Sequence, residues 1–356
     1  MKKLIGLFLA FILLAVGVLP SIGRSAYASS IQEHKTAAIV SETEEKQADS
    51  IILKFFSKIA AFISKIIENI KKLFGGIKNI DINPDAAPSD YETSVPTGGV
   101  IESTYLKHGE YDVSYYEQAT DEKWAKYEIY YPSSLENSNR VFPVIIMANG
   151  SGVRGSRYAV VFKHYASWGF IVIGNEHDTA YSGDSSDASL AFLIAENENP
   201  NSVLYQKVDL ENVGIVGHSQ GGVGVFAAIT KQPHSNMYKT AVSLSPVPEK
   251  SAKLIHWDYD PTKVSVPVMV LAGTENDTIS PAQLAELYSH ITSGKVAAVR
   301  SGTNHPQMLY SADGYVTAWF MWHLQGDDNA ARAFTGTEPE IKSNQLYLNQ
   351  QIDIHE

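Results

Sequence analysis

The stretch "GIVGHSQGGVG" (residues 214–224) sets one serine, Ser219, among glycines, directly after one apolar run and directly before another. "VGIVG" (213–217) is short, apolar and β-branched, the pattern of a buried strand, and "GGVGVFAAITK" (221–231) opens a helix. Ser219 therefore falls on a strand-to-helix turn, inside a Gly-x-Ser-x-Gly pattern that occurs once in the chain, Gly217-His218-Ser219-Gln220-Gly221. So sharp a turn requires residues without side chains two positions to either side of the serine. It also exposes the hydroxyl at the carboxyl end of a sheet, near the positive end of a helix. The plain alternative is a glycine-rich turn with an incidental serine; the position between strand and helix favours a nucleophile.

Working outward, "YDVSYYE" (111–117) and "KYEIYYP" (126–132) read as two early paired strands. "FPVIIMA" (142–148), "FIVIG" (170–174), "TAVSLS" (240–245), "VPVMVLAG" (266–273) and "VAAVR" (296–300) repeat the buried-strand pattern. Helical periodicity falls around 157–168, 187–196, 222–232, 281–291 and 313–324. Apolar strands alternating with helices predict an α/β fold with a mostly parallel, eight-stranded sheet covered on both faces.

The 356 residues are 44% hydrophobic, enough for a large core. A net charge of −11 argues against nucleic acid as a partner. With no cysteine there is no disulfide framework, thiolate nucleophile or cysteine metal site. Residues 1–28 read as an export signal: Lys2 and Lys3, an apolar run from Leu4 to Leu19, then Pro20, Gly23 and the small-x-small Ala26-Tyr27-Ala28. An uncleaved anchor is the alternative, although the run is short for a membrane span. Residues 29–99 form an amino-terminal extension. Within it, about 51–74 spell an amphipathic helix, with Ile52, Phe55, Phe56, Ile59, Phe62 and Ile63 on one side and Lys54, Lys58 and Lys65 opposite. It fits an anionic membrane or wall surface, the protein's own core, or a second copy of itself equally well. Residues 79–99 read as a Pro/Gly linker, 100–336 as the catalytic domain and 337–356 as a polar tail.

A serine hydroxyl becomes nucleophilic when a base takes its proton, and in this architecture an acid and then a histidine follow the serine in the chain. Asp277 lies in the acidic loop after a late strand, "VPVMVLAGTENDTISP" (266–281); Glu275, Asp258 and Asp260 are weaker candidates. His305 lies in the loop after the last apolar strand, "VAAVRSGTNHPQ" (296–307). His218 is expected to pack or hydrogen-bond beside the serine, and His290 and His323 to be structural. His177, Gly150 and Val247 are candidate substrate contacts. "NGSGVRGS" (149–156) lacks the P-loop lysine, and no acidic or histidine cluster has metal spacing, so no cofactor or metal is expected. Because that glycine-rich stretch follows a strand, the amide of Ser151 joins that of Gln220 as an expected oxyanion donor.

From "NGSG" through "YASWGFIVIGNEHDT", "YQKVDLENVGIVGHSQGG", "SLSPV", "ENDTISP", "SGTNHP" and "GYVTAWFMWHL", the chain resembles the α/β-hydrolase superfamily. Within it, the similarity is to lidless bacterial cutinases and polyester hydrolases, with dienelactone-hydrolase-like enzymes further off. The resemblance implies nucleophile Ser219, acid Asp277, base His305 and oxyanion donors Ser151 and Gln220. Such enzymes usually carry an aromatic residue and a methionine at these last two positions, and often a tryptophan after the "SP" strand end. The platform for a polyester chain is correspondingly thinner and more polar here. The expected function is a secreted serine ester hydrolase. A peptidase or acyltransferase with the same triad, or a non-catalytic surface-binding protein, are the alternatives. Acyl-chain length and oligomeric state are left open.

Overall fold

The computed structural model describes residues 85–120 and 122–354. The export signal, the 51–74 helix and the first part of the linker lie outside the described residues. Nine strands form one sheet: β1 (Val113–Ala119), β2 (Lys126–Pro132), β3 (Phe142–Ala148), β4 (Ile171–Asn175), β5 (Val208–His218), β6 (Tyr238–Leu244), β7 (Val268–Glu275), β8 (Lys295–Asn304) and β9 (Tyr347–Asp353). Their spatial order is β1-β2-β4-β3-β5-β6-β7-β8-β9. The run from β4 through β3 to β8 is parallel, whereas β1, β2 and β9 join antiparallel at the two ends.

Each central strand is buried on both faces, so its sequence is a continuous apolar run rather than an alternation. In β3, Val144 and Ile146 enter one core while Ile145 and Met147 enter the other. The first core is covered by α4 (Asp184–Glu198), α5 (Gln220–Lys231) and α7 (Pro281–His290), through Leu190, Leu193, Phe226, Leu284 and Leu287. The second is covered by α1 (Tyr91–Ser94), α2 (Val100–Leu106), α3 (Ala159–Ser167), α8 (Met308–Ser311) and α9 (Asp313–Gln325), with α10 (Asp328–Ala331) and α11 (Glu340–Ser343) beside them. Between β6 and β7 the chain carries the short α6 (Glu249–Leu254) and a turn. This is the α/β-hydrolase fold, with one strand more than the eight expected.

Two expected boundaries need correction. Residues 337–356 are not simply a polar tail: they include α11 and β9, which pairs antiparallel with β8. An edge strand buries only part of itself, so β9 keeps polar residues and anchors through Tyr347 and, just upstream, Ile341. Nor is the whole of 79–99 a linker, because Tyr91 is fully buried and its hydroxyl donates to Asp313 at 2.5 Å.

A buried network clasps these two segments. Glu102 and Arg300 are 1% and 2% exposed, and Arg300 Nη1 lies 2.7 Å from Glu102 Oε1. The other Glu102 oxygen accepts from Gly98 N and Asn344 Nδ2, both at 2.7 Å. Glu340 reciprocates by accepting from the first-turn amides of Ile101 and Glu102 in α2, at 2.7 and 2.9 Å. Removing one member of a buried ion pair strands the other charge in a low-dielectric interior. Glu102→Ala is therefore expected to cost about 3–5 kcal/mol in urea unfolding, whereas Lys250→Ala, at an exposed pair with Glu286, leaves the midpoint nearly unchanged.

Candidate active site

The parallel strands β3 to β8 bring their carboxyl ends to one edge of the sheet, where loops after β3, β5, β6, β7 and β8 meet. At the end of β5 the chain turns directly into α5 through Ser219, whose φ of 60° and ψ of −119° are unusual for a residue with a side chain. The glycines make the turn sterically feasible. A Cβ at Gly217 would sit 2.3 Å from the Gly221 carbonyl oxygen, and one at Gly221 would sit 2.0 Å from that of Ala148. The turn is tied to β6 by Ser219 N–H donating to Leu244 O at 2.9 Å.

Three expected residues come together there. His305 Nε2 lies 2.9 Å from Ser219 Oγ, and His305 Nδ1 lies 2.9 Å from Asp277 Oδ1. With its proton on Nδ1, His305 donates to Asp277 and presents a lone pair to the serine hydroxyl. The Asp277 side chain is 3% exposed. Burial alone would raise its carboxyl, yet hydrogen bonds from His305, Ser245 and the Gly273 amide outweigh burial and hold it below the usual range. The alternative acids go elsewhere. Glu275 stays at the exposed end of β7, Asp258 is exposed, and Asp260 accepts from Thr262 N at 3.1 Å.

The loop after β3 lies against this turn: a Cβ on Gly150 would be 3.4 Å from the His218 carbonyl oxygen. Its amides are mostly committed. Gly150 N donates to Tyr158 Oη at 2.8 Å, Gly152 N to Asp178 O at 2.9 Å and Val153 N to Gly150 O at 3.1 Å. Ser151 N–H has no acceptor among the described residues. The Gln220 amide opens α5, where first-turn N–H groups lack intrahelical acceptors. The Gln220 side chain is used elsewhere, accepting from Ala180 N at 2.8 Å.

The remaining candidates divide. His177 Nδ1 lies 2.8 Å from Thr179 O, and the ring packs on Trp124, so its Nδ1 faces its own loop rather than the serine. Val247 is half-buried just beyond β6, and its carbonyl accepts from Tyr259 Oη at 2.9 Å. His218 packs its ring 4.5 Å from that of His305, and its Nε2 lies 2.7 Å from the His305 carbonyl oxygen. Burial, then the neighbouring His305, pushes His218 down to about 3, so it is neutral and donates from Nε2. His290 lies 2.8 Å from Glu249, and His323 packs against Trp319 and Trp322. The sequence alone does not single out Ser245, Thr278 or Tyr158. Thr278 N reaches Asp277 Oδ1 at 2.6 Å, and Ser245 Oγ reaches Asp277 Oδ2 at 2.6 Å. No group of three or more His, Asp or Glu side chains able to hold a metal occurs among the described residues.

The sheet order and the serine turn define an α/β-hydrolase. A family model described as PET hydrolase-like matches residues 87–345, and the chain belongs to that family. It is 28% identical to the bis(hydroxyethyl) terephthalate hydrolase of Streptomyces coelicolor over 43% of this chain and 45% of that protein. It is 25% identical to cutinase est2 of Thermobifida alba over 56% of this chain and 64% of that protein. Cutinase 2 of Thermobifida cellulosilytica is also 25% identical, over 43% and 53%. The chain spans about half the length of the curated relatives it matches.

Because the native carboxyl of Asp277 lies below its ordinary value, it stabilises the fold above the ordinary aspartate range. That contribution fades as pH falls through the native value. Asp277→Asn is therefore expected to be less stable than wild type at pH 7, with the gap narrowing below about pH 4. Urea unfolding at a series of pH values measures it.

Proposed function

We propose that the protein is a serine carboxylic-ester hydrolase. The observation that carries this reading is the continuous hydrogen-bond path from Ser219 Oγ through His305 to Asp277, at the sharp turn between β5 and α5. Ser219 Oγ attacks the ester carbonyl as His305 Nε2 takes its proton, and Asp277 steadies the imidazolium that forms. The negative charge on the former carbonyl oxygen is met by the Ser151 and Gln220 amides, which need no reorganisation to receive it. His305 returns the proton to the departing alcohol, leaving an acyl-enzyme. His305 then takes a proton from water, the hydroxide attacks the acyl carbon, and the acyl–Oγ bond breaks to release the carboxylic acid as His305 returns the proton to Ser219 Oγ.

The relatives' names, a terephthalate diester hydrolase and cutinases, support esters of carboxylic acids as the substrate class. Export through residues 1–28 is consistent with this reading and rests on their sequence pattern alone; among the described residues, no helix is long and apolar enough to cross a membrane.

Ser219→Ala is expected to lower hydrolysis of a p-nitrophenyl ester by at least about 10³-fold and to abolish fluorophosphonate labelling. Unchanged turnover and labelling would remove the assignment, and rapid cleavage of peptide amides would favour a peptidase. Membrane contact through residues 51–74 is a separate proposal. Deleting them is expected to abolish flotation with anionic liposomes, and equal flotation would end it.

A further inference from the structure

Ser245 follows directly after β6, and it is fully buried with a φ of 46°. L side chains rarely adopt that conformation, and glycine would take it without strain. Instead the position carries a hydroxyl, held from three directions. Ser245 N–H donates to Leu271 O at 2.7 Å, Ser245 O accepts from Thr278 Oγ1 at 2.9 Å, and Ser245 Oγ donates to Asp277 Oδ2 at 2.6 Å. Gly273 N–H donates to the same carboxylate oxygen at 2.5 Å. Oδ2 is thereby occupied, and Oδ1 is left to accept from His305 Nδ1 and Thr278 N–H. A strained residue whose side chain ends on a site carboxylate is the kind of outlier from which a role can be inferred.

We propose that Ser245 is a positioning residue for Asp277: its hydroxyl fixes the rotation of the carboxylate that aims Oδ1 at His305. This inference rests on the triad reading given above. Without the Ser245 hydroxyl, Oδ2 keeps the Gly273 amide as its one remaining donor, and the carboxylate can turn so that Oδ1 leaves its line to His305 Nδ1. The other titratable groups facing the pair are few. His218, at the end of β5, is buried and neutral beside His305. Glu275 lies at the exposed end of β7.

Two variants of the full chain separate positioning from a purely structural role. Ser245→Ala removes the hydroxyl and keeps the strain, whereas Ser245→Gly removes both. With p-nitrophenyl acetate, both are expected to lose about tenfold or more in kcat, the scale of one charge-assisted hydrogen bond, with KM within about twofold of wild type. Ser245→Gly should be the more stable of the two to heat without regaining kcat. Wild-type kcat in Ser245→Gly would overturn the proposal while leaving the triad reading intact. A wild-type protein without Ser219-dependent turnover or fluorophosphonate labelling would overturn both.

Discussion

The backbone of Ser219 can take its conformation only because Gly217 and Gly221 carry no side chain where strand, turn and helix close on one another. Everything at the site is arranged against that bend. The β3 loop packs against it, β6 receives its amide, and the imidazole of His305 arrives from beyond β8. Removing either glycine's freedom would push Ala148 or the first turn of α5 aside, and the hydroxyl would leave the line that joins it to His305 and Asp277.

Around this bend, the chain uses polar groups to fix main-chain atoms rather than to line a cavity. Tyr158 occupies the Gly150 amide, Asn149 Nδ2 reaches the carbonyls of Asn175 and His177, and His218 reaches the carbonyl of His305. Each such bond spends one donor or acceptor and immobilises one loop. In the β3 loop this leaves the Ser151 amide uncommitted. Gln220 follows the same logic, since its side chain holds the loop after β4 while its backbone N–H, at the first position of α5, has no intrahelical acceptor.

The strands that build the central sheet were readable because burial on both faces leaves only apolar residues. "FPVIIMA" and "KYEIYYP" coincide with β3 and β2, and "VGIVG" falls within β5. Ser219, Asp277 and His305 were readable because a strand end, a turn and a residue type coincide at each. Ser245 was not, since a serine before a proline carries no mark of a left-handed backbone or of a partner 32 residues on. Nor was β9 readable: its burial comes from pairing with β8, and its own residues are largely polar. The segment from 85 to 99 has the prolines and acidic residues of a linker, and only its contacts with Asp313 and Arg300 show that it is part of the packed structure.

The clasp around Glu102 has a consequence for how the molecule is assembled. Its carboxylate is joined to an amide nitrogen on Asn344, 242 residues later. Contacts so distant in sequence form late, because the intervening chain must first be brought into a closed loop. During synthesis, the sheet's first strands can pair long before that partner has emerged, and until then the Glu102 carboxylate lacks Arg300 and Asn344, and the first amides of α2 lack Glu340. The order of manufacture therefore leaves the front of the protein waiting for its back, and a chain interrupted before residue 340 would present an unfinished seam to whatever quality control it meets.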